Sequence, residues 1–332
     1  MSNNPPVKIS DARPRLRQLL ALISMFGTPV VGAIAALHIA RKGSRITRFL
    51  LLLVILYAQV DKTHEQGGRK LGWIRKLFSW KLCADYFPMA LYKTAELKPN
   101  RPHVFGYHPH GVIGLGVVIA IGSDALGVKD LFPGVTIRPG TLEINFQIPF
   151  IREILLNCGF VSVNESALDA VLSNNESVLV AVGGAAEALD SVPGTNKLTL
   201  YSRHGFVRLA LRHGAALVPM FGFGESDLFE QVDNREGTWI RWFQENFKEW
   251  ATFSPLIPYG RYGILPYRRP VTVVVGAPID LPKVENPTED EVRKWHRVYM
   301  SSLRSLFDAH KEELLPHRTS DLEFADQVVA KL

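Results

Sequence analysis

"HVFGYHPHGVIGLG", residues 103–116, is the stretch on which the reading turns. His103 to Tyr107 is a short apolar run bounded by a turn signal, the pattern of a buried strand. His108, Pro109, His110 and Gly111 follow, and behind them lies a glycine-spaced apolar segment, Val112 to Gly122. In α/β sheets, reactive side chains gather at the carboxyl ends of strands, and this turn falls at such an end. Pro109 fixes one backbone angle between the two imidazoles. Gly111 lets a ligand approach the backbone closely and expose an N–H to it. Imidazole exchanges a proton near neutral pH without assistance, so a general base is one reading of the pair. The residues alone leave three others open: satisfied structural histidines, an HxH metal pair, or a surface turn.

Working outward, the same kind of run recurs at Gly159–Val163, Ser177–Val182, Ala215–Phe221 and Pro270–Gly276. Helical spacing lies between them, at Pro149–Cys158, Ala167–Ser173 and Gly205–His213. Trp239–Trp250 reads as a longer amphipathic helix. Thr288–His310 reads as the closing helix, with its cap at Thr288 or Asn286. Strand alternating with helix implies an α/β fold, a sheet covered by helices on both faces. Arg69–Leu91 mixes Lys and Arg with Trp73, Phe78, Trp80 and Phe87, which suits a helix in a headgroup layer or one on a protein core.

Hydrophobic residues make up 47% of the 332 and charged residues 21%, which excludes a disordered chain. The formal charge of +6 suits anionic headgroups or polyphosphate ligands, and no nucleic-acid motif accompanies it. Cys83 and Cys158 provide neither a disulfide framework nor a CxxC metal pair.

The sharpest compositional break is at the start. Leu19–Ala40 carries no Asp, Glu, Lys or Arg, and as a helix reaches about 30 Å, the thickness of a bilayer core. "RKGSRITR" follows, then a dozen apolar residues from Phe49 to Val60, too few for a clean span. Three regions are expected: a basic cytosolic tail at 1–18, a membrane-embedded helical hairpin at 19–60, and a cytosolic membrane-associated domain at 61–332. Positive charge keeps to the cytosolic side, which favours a hairpin dipping into one leaflet.

Two further constellations carry chemistry. In "AVGGAAEAL", Gly183 and Gly184 follow a strand and can turn backbone N–H groups toward an oxyanion. Glu187, close behind, either caps a helix or orients a histidine. In "RHGFVRLALRHGAALVP", Arg208 and Arg212 share a helix face and Arg203 precedes the helix, a candidate set for phosphates. P-loop, HExxH, GxSxG and full GxGxxG patterns are absent from the sequence, so Walker, zincin and serine-nucleophile chemistries lack support.

Taken in order, "DYFP" (Asp85–Pro88), "GYHPHG" (Gly106–Gly111), "NF" (Asn145, Phe146), "RE" (Arg152, Glu153), "VGGAAEAL" (Val182–Leu189), "GFVRLALRHGAALVP", "FGE" (Phe223–Glu225), "GRYGILPYRRPVTVVVGAPIDLP" (Gly260–Pro282) and "YMSSLRSLFDAHK" (Tyr299–Lys311) make a further pattern. It resembles the type-2 diacylglycerol acyltransferase family, with its monoacylglycerol and wax-alcohol relatives. The resemblance implies a glycerolipid-acyltransferase-like sheet and an acyl-CoA-dependent O-acyltransferase making triacylglycerol. It also implies a place in the endoplasmic reticulum membrane, facing the cytosol and extending to lipid droplets. Acyl-CoA is then a co-substrate, with no resident cofactor or metal. The partners are a lipid alcohol, diacylglycerol first, membrane lipid, and no nucleic acid; a homo-oligomer is left open. By residue match it implies His108, Pro109, His110 and Gly111 as the catalytic block and Glu187 as its partner; the amides near Gly111, Gly183 and Gly184 are the candidates for the oxyanion, and Asn145 and Arg152, in further blocks, join Arg203, Arg208 and Arg212 as candidates for acyl-CoA or substrate binding. A monoacylglycerol or long-chain alcohol acceptor is the alternative, and a non-catalytic lipid-binding protein the alternative of another class. There are departures. Related glycerolipid acyltransferases follow the His with an Asp, but five residues on from His108 and His110 stand Ile113 and Leu115. In "FLLLLVIL" Leu56 replaces the Asn of a neutral-lipid motif.

Overall fold

Alternation along one strand organises the molecule. In the strand His103–His108 (β2), Val104 points into one apolar core and Phe105 and Tyr107 into another, on the opposite face. A computed structural model shows this arrangement and describes residues 14–69, 72–232, 237–238, 242, 246 and 257–325. Most of the helix expected at Trp239–Trp250 lies outside the described residues, as do the first 13 residues of the basic tail.

The other strands of the main sheet are Ala90–Lys93 (β1), Ile137–Thr141 (β3), Val161–Ser162 (β4), Ser177–Ala181 (β5), Ala216–Phe223 (β7) and Thr272–Val275 (β10). Their order is β1-β10-β7-β2-β5-β3-β4. Five strands, β7 through β4, run parallel; β10 pairs antiparallel with β7, and β1 follows β10 in parallel. Two small pairs join Asn196–Leu198 (β6) to Leu322–Phe324 (β11), and Glu230–Gln231 (β8) to Pro258–Tyr259 (β9). β2 therefore sits centrally, flanked by β5 and β7, with both faces covered. This is the mixed α/β sheet that the alternating pattern implies.

On one face lie Glu165–Ser173 (α6), Gly205–His213 (α8) and Glu289–Leu314 (α9). Thr288 caps α9 in a reciprocal box with Glu291, as the sequence suggests. Covering the other face are Phe78–Tyr86 (α3), the segment from Val112 to Ile121 and the short helix Val128–Leu131 (α4). Ile151–Asn157 (α5) and Gly184–Leu189 (α7) are further helices of the domain.

Leu16–Lys42 (α1) and Arg45–Val60 (α2) form the N-terminal helical pair, broken at Gly43–Ser44 with the Ser44 hydroxyl capping α2. Among the described residues α1 is the one helix long and apolar enough to cross a membrane. Its lower part does not hang free. Leu22 is fully buried in the same core as Trp80 and Phe87, and Phe26 meets Phe229 edge-on. Beyond this, Val30, Val31, Ile34 and Leu37 of α1 and most apolar side chains of α2 are exposed.

The span Arg69–Leu91 is not one surface helix. It is a 3-10 turn at Trp73–Lys76, then α3, then the start of β1. Trp80 and Phe87 are core residues, whereas Trp73 and Phe78 are 69% and 66% exposed. Mixed aromatic and basic composition describes both sides of such a segment without saying which aromatic turns inward.

Candidate active site

The two histidines of the turn part company. His108 ends β2 with its ring directed to the α9 face, fully buried. The Tyr299 hydroxyl donates to the Gly106 carbonyl (3.1 Å), so His108 donates to that hydroxyl from Nε2 (3.0 Å). Nδ1 is left as a buried lone pair without a partner. Burial, reinforced by the nearby His296, pushes its pKa down to about 3, so His108 is neutral. His110, beyond Pro109, is only partly buried. Its Nδ1–H donates to the Gly111 carbonyl (3.0 Å), which makes Nε2 the free lone pair of the ring. Burial lowers its pKa below the ordinary histidine value, and the Gly111 bond partly offsets this.

Strands on each side of β2 send one carboxylate to this turn. From α7, which follows β5, comes Glu187, buried, whose Oε1 accepts the His110 backbone N–H (2.6 Å) and whose Oε2 accepts that of Thr199 (3.0 Å). Gly183 is required because its missing side chain leaves the space this carboxylate occupies. Glu187 thus grips the main chain of His110 and does not bond to the ring, so the geometry is not that of a hydrolase triad. From the end of β7 comes Glu225, equally buried. It accepts the N–H groups of Leu115 (2.7 Å) and Gly116 (2.9 Å) and the Tyr107 hydroxyl (2.8 Å). Gly111, at φ +59°, packs on it: a Cβ there would lie 2.8 Å from the Glu225 Cγ. Burial raises both carboxyls to about 7; the His110 and Thr199 amides oppose this at Glu187, and the Tyr107 hydroxyl and the Gly116 and Leu115 amides oppose it at Glu225.

Reading motifs singly passed over Glu225. Its signal is in the sequence nonetheless: an acidic residue closing the apolar run "ALVPMFGFGE" must find donors if it is buried. The backbone N–H groups of Gly111 and Val112, between the two clamps, have no protein acceptor among the described residues. A crevice of about 10 Å³ opens beside Pro109, lined by Asn196, Ser226 and Asp227; a larger cavity of about 280 Å³ lies at the amino end of β3.

The other expected residues are elsewhere. Arg208 pairs with Glu289 of α9, and Arg212 with Glu165 and Asp169 of α6, so both fasten α8 to its neighbours. Arg203 lies exposed ahead of α8, and its charge acts on Glu187. Asn145 bonds Thr141 (2.7 Å). Arg152 is buried against Asp61 (2.7 Å) and Glu153 (2.7 Å), with its guanidinium over the Tyr57 ring. The structure therefore places Arg152 where α2 enters the domain. Nearby, His64, Glu65 and Glu143 bring possible ligand atoms within 4.8 Å of one another. The Lys62 ammonium already lies 3.0 Å from Glu65 and 3.9 Å from Glu143 and supplies the compensating charge.

Comparison with known proteins gives the family. The family model described as diacylglycerol acyltransferase matches residues 44–325. Diacylglycerol O-acyltransferase 2 of Xenopus laevis is 43% identical over 272 residues, covering 79% of this chain and 75% of that protein. Its counterpart in Dictyostelium discoideum is 38% identical over 271 residues, covering 79% and 82%. The solved structure of the 1-acyl-sn-glycerophosphate (LPA) acyltransferase PlsC from Thermotoga maritima overlays with a TM-score of 0.44 at 14% identity, covering 89% of this chain and 99% of that one. The protein is an acyltransferase. It belongs to the diacylglycerol acyltransferase family.

Proposed function

We propose that the protein transfers a fatty acyl group from acyl-CoA to the free hydroxyl of diacylglycerol, forming triacylglycerol, with His110 as general base. The observation that carries the choice of base is the split between the histidines. His108 has Nε2 bonded to Tyr299 and Nδ1 buried, whereas His110 keeps Nε2 free on a partly exposed ring. A lipid hydroxyl is a poor nucleophile at neutral pH. As its oxygen attacks the thioester carbonyl, His110 Nε2 takes the proton. The tetrahedral intermediate then collapses, the C–S bond breaks, and the proton passes to the departing thiolate of coenzyme A. Direct attack needs no acyl-enzyme. In support, the thiols of Cys83 and Cys158 are buried and pushed up to about 12, which makes them poor nucleophiles. The unengaged amides of Gly111 and Val112 support an oxyanion role for the turn, with Gly183 and Gly184 as the second candidate pair.

Diacylglycerol as acceptor rests on the names of the relatives at 38–43% identity. The exposed apolar helices suit a membrane protein whose acceptor reaches the turn from the lipid, with the domain on the cytosolic face of the endoplasmic reticulum or on lipid droplets. Arg203 is the remaining candidate of its trio for the coenzyme's phosphates. Membranes carrying the protein, given radiolabelled acyl-CoA and separate pools of diacylglycerol, monoacylglycerol and long-chain alcohol, are expected to label triacylglycerol most strongly. Label confined to wax ester would move the acceptor, and no acyl-CoA-dependent label would remove the reading.

A further inference from the structure

We infer that the loop Glu143–Phe150 is a second lipid contact of the catalytic domain, seated in the bilayer beside α1 and α2. Ile144, Ile148 and Phe150 are all exposed, Phe150 by 55%, within eight residues, whereas Phe146 and Leu156 beside them are buried and Leu142, Ile151, Ile154 and Leu155 are partly buried. Three contacts make this patch continuous with the apolar helices. A Cβ on Gly32 of α1 would rest 3.4 Å from the Phe150 ring. Arg152, two residues on, lies over the Tyr57 ring of α2. Glu143 lies 3.9 Å from Lys62, at the exit of α2. Phe150 holds φ at +69°, a conformation a bulky residue seldom adopts, and its ring is turned outward. Lys62 and Arg69 flank the patch with partly exposed cations, the arrangement of residues at headgroup depth beside apolar anchors. Apolar side chains next to helices already suited to lipid need no separate partner: the surface that covers the helices covers the loop. The loop also holds Asn145 and Phe146, a motif the catalytic turn does not use.

This inference rests on the membrane placement of α1 and α2, and its test reads position, not acyl transfer, so the two fail separately. The full-length chain carrying Phe150→Cys, labelled with an environment-sensitive fluorophore, is reconstituted in phosphatidylcholine vesicles. Ser301→Cys, on the exposed side of α9, is the control. The two native thiols are buried and label slowly. Nitroxides on the lipid acyl chains are expected to quench the label at 150 about threefold more than the label at 301, and aqueous iodide about threefold less. Ile148→Cys is expected to behave as Phe150→Cys and guards against a local distortion. Equal access of iodide to positions 150 and 301 would overturn the inference. So would exclusion of both quenchers at 150, which would mean that a second copy or another protein covers the loop.

Discussion

Carboxylates are used in opposite ways at the catalytic turn and at the joint where α2 meets the domain. Glu187 and Glu225 bind only neutral donors, four backbone amides and one phenol, and burial raises them to about 7. Asp61 is also partly desolvated, yet bonds from Thr63 and Arg152 hold it well below the usual carboxylate range. The joint is fastened by opposite charges. At the turn the backbone is fastened without any cation bonded to the two carboxylates, which leaves the imidazole of His110 free of a competing fixed positive charge within the clamp. Geometry is controlled in one place by ion pairing and in the other by amide hydrogen bonds, and the two should fail differently.

The largest expected effect tests what the turn is for. His110→Ala is expected to lower acyl transfer by roughly 10²–10⁴-fold, the usual worth of a general base, with expression and membrane pelleting unchanged. Turnover like that of the parent would place the base elsewhere. Next comes the joint. Arg152→Met takes from Asp61 the nearer of its two guanidinium partners, Arg69 remaining at 3.4 Å, and should cost about 1.5–3 kcal/mol of stability, read as a fall in melting temperature in detergent. Activity measured below that temperature should change much less, and a loss of turnover without a loss of stability would break the contrast.

A third effect tests the hydrogen bonding at the clamp. Glu225→Ala strands two amides and a phenol and should cost about 1–3 kcal/mol for each group left unpaired, while Glu225→Gln should restore part of it. Leu115 and Gly116 reach different carboxylate oxygens, so the single amide oxygen keeps one of the two N–H groups while the NH₂ faces the other. If Gln fails as badly as Ala, both carboxylate oxygens are needed as acceptors. The last prediction concerns pH. The folded carboxyls titrate near 7 and the unfolded ones near 4.5, so the folded state holds the extra protons between these values. Stability should therefore fall as pH rises through that window, and the slope should shrink in Glu225→Gln. Because burial lowers the pKa of His110, turnover should decline on acidification only below the ordinary histidine range.

Much of the frame was legible because periodicity is local. The runs at 103–107, 177–182, 215–221 and 270–276 are strands, and Gly205–His213 is a helix with those bounds. β3 escaped notice since Arg138, Pro139 and Gly140 interrupt its alternation; Arg138 is satisfied there by Glu176 across the fold. Partners are not local. That Glu187 would choose a main-chain amide over a ring, that Arg152 would meet Asp61 across 91 positions, or that Trp80 would face inward while Trp73 faced out depends on tertiary placement. The position of the turn could be read from spacing, but the division of labour between His108 and His110 required Tyr299, supplied by the closing helix.

Leu22 carries a practical consequence. The greasy N-terminal pair looks like a handle to be trimmed off for handling in water. Cutting it away would remove a plug from the sheet's own core, and a cut after Asp61 would also strip one of the two carboxylates paired with the sealed Arg152 guanidinium. The trimmed remainder would be short of folding energy as well as of lipid, so detergent or nanodiscs around the whole chain are the sounder route to material that still holds its shape.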